Sequence, residues 1–192
     1  MTDRVRRCWG TGDPLMEAYH DAEWGTPVHD DRLLFEHLVL DGFQAGLSWR
    51  TILHKRENFR WAFEGFDIER VAGYRAPEVR RLMHDAGIVR NRQKIEAAVT
   101  NAQATLRVIG EHGSLDRFLW SFTGGQPVLS RSVRAWTDVR STSPESDALS
   151  KALQAHGYRF VGSTICYAFM QAVGMVDDHM VGCFRYQLRR KR

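Results

Sequence analysis

Four side chains at the two ends of the sequence could together bind a metal: Cys8, His20, His179 and Cys183. Two thiolates and two imidazoles suit a tetrahedral zinc ion with no open position, which is a structural rather than a catalytic arrangement. The gain would be a staple between chain ends that otherwise fray. His179 and Cys183 are four residues apart, so a helical turn would project both to one side. Cys8 and His20 fall in an opening segment marked by Gly10, Gly12 and Pro14, which reads as loop-rich. The spacings match no short zinc finger, and each residue alone is more often a plain core or surface group. Cys166 lies in the apolar stretch from Ile165 to Phe169 and reads as core. His29, His37, His54, His84, His112 and His156 lack a nearby thiol and are expected on the surface.

A second group mixes rings and carboxylates within the first fifty residues: Tyr19, Asp21, Glu23, Trp24, Asp41, Phe43 and Trp49. Aromatic walls stack on a flat ligand and favour a cationic one. A carboxylate on the floor would add charge attraction. Such stripes are more often plain core. A third group is basic. In VRRLMHDAGIVRNRQKI (79–95), Arg80, Arg81, Arg90, Arg92 and Lys94 face Asp85 alone. A helix, a tight turn at Gly87 and a second helix would aim free N–H groups and a positive dipole end at a phosphate. A solvated helical hairpin is the plainer reading of that segment.

These groups need elements to hold them, and the pattern is helical. Asp30 can cap a helix carrying Leu33, Leu34, Leu38 and Val39. A second helix starts near Ser48, and a third has Pro77 in its first turn and stops at Gly87. Residues 91–109 place Ile95, Ala98, Val99, Ala102 and Leu106 three and four apart. Ser143-Pro144 opens another helix that ends near Gly157, and an apolar stretch runs from Thr164 to Val173. Alternation of the strand type is scarce, so the fold class is all-α.

Composition sets the outer bounds. The 192 residues are 43% hydrophobic and 26% charged, ordinary for a globular protein with a sizeable core. No apolar run reaches the ~18 residues a membrane span needs. The basic N-terminus lacks an apolar h-region, so no secretory signal is expected. Three cysteines leave an unpaired thiol, which points to a reducing, cytoplasmic setting. The net charge is +4, but residues 185–192, RYQLRRKR, hold five of the 27 basic residues and no acid. That excess reads as a solvated tail rather than as evidence for nucleic acid.

Taken together, these features resemble the bacterial 3-methyladenine DNA glycosylase I family, within the helix-hairpin-helix glycosylase superfamily. The matching stretches include DPLMEAYHDAEWG (13–25), LFEHLVLDGFQAGLSW (34–49), KREN (55–58), DAGIVRNRQKI (85–95), LWSF (119–122), STSPESDALSKAL (141–153), FVGSTICYAFMQAVG (160–174) and DHMVGC (178–183). They span nearly the whole chain, residues 1–192, as one two-lobed domain.

The resemblance implies a monofunctional base-excision enzyme that hydrolyses the N-glycosidic bond of 3-methyladenine in double-stranded alkylated DNA, as a monomer and away from membranes. It implies a structural zinc on Cys8, His20, His179 and Cys183. Asp41 would discriminate the cationic base and position it, with Tyr19 and Trp49 stacked on it. Trp24, Met16 and Ala168 would complete the pocket. Gly46 and Leu47 would form the wedge filling the gap left by the flipped base, and Gly87, Arg90, Arg92 and Lys94 would grip the backbone.

The chain departs from the family pattern at three pocket positions. Asp41 replaces the usual glutamate, Met16 a common tyrosine and Ala168 a serine. The loop from Cys8 to His20 is also one residue shorter than the family suggests. The superfamily's catalytic aspartate is missing from this family, and Asp116 is not assigned to catalysis. The rivals are a glycosylase for another alkylated base, a non-catalytic lesion binder and a metallohydrolase. The last is disfavoured because four protein ligands leave no place for water.

Overall fold

The computed structural model describes residues 6–130 and 133–189. Part of the basic tail, residues 190–192, lies outside them. The described chain is helical, in line with the all-α expectation. The helices are α1 (Pro14–Ala22), α2 (Asp31–Gln44), α3 (Trp49–Ala62), α4 (Ile68–Ala72), α5 (Ala76–His84), α6 (Arg92–His112), α7 (Leu115–Trp120), α8 (Pro144–Ala155), α9 (Ser163–Ala172) and α10 (Phe184–Arg189). Two short strands, β1 (Val128–Leu129) and β2 (Val176–Asp177), pair in parallel with Val128 opposite Val176.

Helix α2 is the hub. Every residue from Leu34 to Phe43 is buried, and the helix packs against α3, α6, α7 and α9. A helix buried all round cannot show a one-sided polar pattern, so polar groups on it are forced inside. Glu36, His37 and Asp41 are all buried there. Glu36 is matched by Arg56 (2.5 Å) and Arg60 (2.9 Å) from α3. His37 is an exception to the surface expectation for the spare histidines: burial pushes its pKa down to about 3, so it stays neutral. Phe43, Phe59, Phe63 and Phe66 pack ring on ring and are fully buried. At ~1.5–3 kcal/mol per buried side chain, they fix α2 against α3.

The caps match the sequence. Asp30, Ser48 and Ser143 accept backbone N–H bonds at the starts of α2, α3 and α8. Two expectations change. The opening segment is not all loop, because Asp13 caps α1 and Pro14 begins it, placing His20 on a helix. The segment from His179 to Cys183 is not a helical turn. It leaves β2 irregular, and a turn closed by Cys183 N–H on Met180 O (2.8 Å) precedes α10.

The hairpin also differs in detail. Helix α5 ends at His84, and α6 begins only at Arg92, capped by Asn91. The Gly87 N–H is not free, since it donates to Asp85 Oδ1 at 2.7 Å. Glycine is needed here for close packing: a Cβ would lie 3.1 Å from Asn58 Cβ. Asn58 and Lys55, both from the KREN stretch, donate to the carbonyls of the turn, Lys55 to Ala86 O and Gly87 O at 3.1 Å each. The motif thus pins the hairpin to α3.

Candidate functional site

A cavity of about 360 Å³ opens between α1, α2, the start of α3 and α9. It is lined by Trp9, Gly10, Met16, Tyr19, Trp24, Asp41, Gln44, Trp49, Trp136, Ala168, Gln171 and Ala172. All six base-pocket residues expected from the sequence are here. Trp9, Gln44, Trp136 and Gln171 were not expected. Gln44 lies one turn beyond Asp41 on α2 and Gln171 one turn beyond Ala168 on α9, so helical spacing was the signal that could have found them. Trp9 and the half-exposed Trp136 come from segments that carry no such signal.

The walls are rings. Tyr19 lies 5.2 Å from Trp49 and 5.9 Å from Trp9. Trp9 meets Trp24 edge-on at 5.3 Å. On the floor, Asp41 is 2% exposed, and its Oδ2 has no hydrogen-bond partner among the described residues. Burial drives its pKa well above the ordinary 3.8, with Arg56 pulling weakly the other way. Until a cation faces it, burial therefore favours the protonated form of the carboxyl on the cavity floor. Burial, and then the neighbouring Asp41, also raise the Tyr19 phenol, which stays a hydroxyl.

A buried acid without a partner costs stability. Its natural complement is a cation, which would make the ionised form favourable. Asp41 is the only acid lining the cavity among the described residues, and no lysine lines it. Asp116 sits elsewhere, hydrogen-bonded to His29 at 2.7 Å.

Behind the aromatic wall lies the sulfur–imidazole cluster. Cys8, His20 and Cys183 present ligand atoms all within 4.8 Å of one another. Cys8 Sγ is 3.2 Å and Cys183 Sγ 3.5 Å from His20 Nε2. The interaction between the two thiols pulls the Cys183 pKa down and pushes that of Cys8 up, so Cys183 is the readier of the two to act as a thiolate.

His179 stands beside the trio, its ring 5.1 Å from that of His20. Its Nε2 is buried without a partner among the described residues, while its Nδ1 is held by Asp177 at 2.7 Å. His20 Nδ1 is likewise held by Asp21 at 2.9 Å, and Asp21 takes a bidentate grip from Arg7 at 2.8 and 2.7 Å. Imidazoles oriented by carboxylates through the far nitrogen are the usual setting of metal-binding histidines. Cys8, His20 and Cys183 could hold a metal ion, and the His179 ring lies next to them. Gly25 makes room for it: its φ is +71°, and a Cβ there would lie 2.9 Å from the His179 ring. The cluster also buttresses the cavity, because Trp24 packs on His179 (4.6 Å) and Trp9 on His20 (5.1 Å).

Around the cavity mouth, the α2–α3 turn carries Gly46 and Leu47. Gly46 has φ +76° in open space, and Leu47 is 42% exposed at the tip. An apolar tip held out to solvent on a capped, tight turn suits insertion between bases. Arg90 and Arg92 are exposed beside the start of α6, whose first turn holds no acid.

Lys94 departs from its expected place on the DNA face. It is 8% exposed, and its Nζ donates to Phe43 O (2.8 Å) and Ala45 O (2.5 Å). Its ammonium satisfies the end of α2 and ties the Leu47 turn to the hairpin. Arg81 is similarly spent on Ala62 O at 2.9 Å.

Salt titration of DNA binding separates these roles. Replacing Arg90 and Arg92 by Ala should flatten the slope of log K against log salt by about 1 for each phosphate no longer neutralised. Lys94→Met should leave that slope intact and lower thermal stability instead. An unchanged slope in the double Arg variant would take both arginines off the DNA.

A mostly helical scaffold with an aromatic, acid-floored cavity, an exposed leucine turn at its mouth and exposed arginines beside the hairpin fits the class of base-extruding DNA glycosylases. Comparison with known proteins makes this specific. The methyladenine glycosylase family model matches residues 9–186, and the chain belongs to that family. It is 48% identical over 183 residues to DNA-3-methyladenine glycosylase 1 of Escherichia coli (strain K12), covering 95% of this chain and 97% of that protein. The DNA-3-methyladenine glycosylase of Haemophilus influenzae (strain ATCC 51907 / DSM 11121 / KW20 / Rd) is 43% identical, with 92% and 96% covered.

A crystal structure of 3-methyladenine DNA glycosylase I superposes with a TM-score of 0.90 at 49% identity, covering 93% of this chain and 98% of that one. The Staphylococcus aureus 3-methyladenine DNA glycosylase I, solved to explain 3-methyladenine recognition, gives 0.89 at 38% identity, with 92% and 94% covered.

Proposed function

We propose that this protein excises 3-methyladenine from alkylated duplex DNA by hydrolysing its N-glycosidic bond, acting as a cytoplasmic monomer whose 192 residues form one glycosylase domain. The observation that carries the reading is Asp41: an unpartnered carboxyl on the floor of a ring-walled cavity, in a chain of the methyladenine glycosylase family. No helix among the described residues is long and apolar enough to cross a membrane.

Adenine methylated at N3 in DNA carries a fixed positive charge and is already a good leaving group. Little general-acid help is needed. Leu47 fills the stack as the base swings out, and Arg90 and Arg92 hold the backbone. Tyr19 and Trp49 stack on the cationic ring, and Asp41 gives up its proton and faces the charge. Holding the base away from bulk water, in one orientation, supplies the rate enhancement. Water attacks the sugar carbon as the carbon–nitrogen bond breaks, and the base leaves neutral with that electron pair. The spare protons of the water and of Asp41 pass to solvent. Among the described residues no lysine lines the cavity, so the mechanism uses no covalent intermediate and the strand stays whole.

Zinc is the metal we assign to the cluster, held by Cys8, His20, His179 and Cys183. Bound there, it would supply a structural clamp between distant parts of the chain, with all four protein ligands leaving no position for water.

A duplex bearing one 3-methyladenine provides the check. The enzyme should leave an abasic site that breaks only after alkali. Intact glycosidic bonds at saturating enzyme would refute the reading, and strand cleavage without alkali would refute the monofunctional mechanism.

A further inference from the structure

The proposed mechanism makes no use of one buried network beside the cavity. Asp178 is 2% exposed. Its Oδ2 accepts the Tyr167 hydroxyl at 2.8 Å and the Gln171 amide Nε2 at 2.7 Å, and its Oδ1 accepts the Ser130 hydroxyl. Gln171 belongs both to this network and to the cavity wall. Its backbone is held as well, since Gly25 N–H donates to its carbonyl at 2.9 Å.

A glutamine amide has a donating end and an accepting end. Here the donating end is committed to Asp178. Turning the amide over would set its carbonyl oxygen against a carboxylate oxygen, so the orientation is locked. The Gln171 side chain makes its hydrogen bond among the described residues through Nε2, which leaves Oε1 uncommitted on a residue that lines the cavity. The cavity wall therefore offers a fixed acceptor at Gln171, in addition to the carboxyl of Asp41.

We propose that Gln171, locked by Asp178, is a specificity residue that accepts a hydrogen bond from the exocyclic amino group of the extruded base. The inference rests on the excision reading and adds to it how the base is chosen. N3-methylated adenine has two polar N–H bonds, both on its exocyclic amine. Asp41 and Gln171 supply two acceptors, one for each. N3-methylated guanine carries the same ring charge but a carbonyl oxygen at that corner, which would meet an acceptor. Aromatic stacking and the ring charge cannot tell these two bases apart, whereas acceptors fixed at that corner can, and Gln171 adds a second one to Asp41. A site built to bind a donor penalises a base that lacks one, because its own polar group is left unpaired. Asp178 acts as a positioning residue, through Gln171.

The test measures kcat/KM for release of 3-methyladenine and of 3-methylguanine from the same alkylated DNA, in the wild type, Gln171→Met and Asp178→Asn. Circular dichroism confirms that each variant is folded. The wild type should favour 3-methyladenine. Gln171→Met should lose about 10-fold on that base, the worth of one hydrogen bond, and nothing on 3-methylguanine, so the preference narrows about 10-fold. Asp178→Asn can donate to Gln171 Oε1 and let the amide turn, and it should narrow the preference in the same direction.

A role in packing alone would lower both activities together and keep the ratio. An unchanged ratio in the folded variants overturns the inference while leaving the excision reading in place. If Gln171→Met does not fold, Asp178→Asn decides alone. Release of neither base by the wild type refutes the excision reading, and the inference falls with it.

Discussion

Asp41→Asn is expected to lower kcat/KM for 3-methyladenine excision by ~10²–10³-fold, the usual loss when a preorganised electrostatic partner of the transition state is removed. The neutral amide keeps nearly the same shape but cannot oppose the charge of the base. Two pH profiles separate this from a packing defect. Burial raises the Asp41 pKa well above 3.8, so in the wild type activity should rise with pH as the carboxyl becomes free to ionise. In the asparagine variant that limb should vanish.

The stability profile has the opposite sign. A raised pKa means that the folded state holds the proton longer than the unfolded chain does. Stability from this group is greatest at low pH and is lost as pH rises through the folded-state value. An amide side chain cannot ionise, so the Asp41→Asn variant should lose less stability than the wild type as pH increases over that window. A variant with wild-type turnover, or with an unchanged stability profile, would remove Asp41 from its assigned place.

The second large effect concerns the cluster that joins the termini. Chelation of the metal, or Cys183→Ser, should lower the thermal midpoint by more than about 10 °C. The reason is that ion binding free energy is folding free energy where the ligands come from distant parts of the chain. Cys8 and Cys183 are 175 residues apart in sequence, and their site packs directly on Trp9 and Trp24 of the cavity. Stability should therefore fall first and activity with it, the two recovering together when zinc is restored. Metal analysis with calorimetry checks this. Full activity lost at an unchanged midpoint would instead make the metal a participant in catalysis.

Much of this was legible in the sequence where periodicity and capping agree. Helices α2, α3, α6 and α8 carry both an apolar repeat and a polar cap, and they lie where expected. Helix α1 was hidden by the glycines before it, although Asp13-Pro14 is itself a cap followed by a first-turn proline. The two-residue strands pair through tertiary contact alone and leave no repeat to read. From its charge alone, Lys94 does not show which face of α6 it takes. It precedes Ile95 and lies one turn before the buried Ala97 and Ala98, so it points inward and finds the carbonyls at the end of α2. His179 and Cys183 were matched by helical spacing, yet an irregular segment brings them to the cluster. The pocket positions followed from residue type and family resemblance together. Asp41, placed by a one-methylene-shorter stem than the family's usual glutamate, still reaches the cavity floor.

The most direct test of the account is to identify by mass spectrometry what the purified protein sets free from methylated duplex DNA, with Asp41→Asn run alongside. The account predicts free 3-methyladenine as the principal base from the wild type and a release at least ~100-fold slower from the variant. Release of no modified purine, or equal release by both proteins, would contradict it.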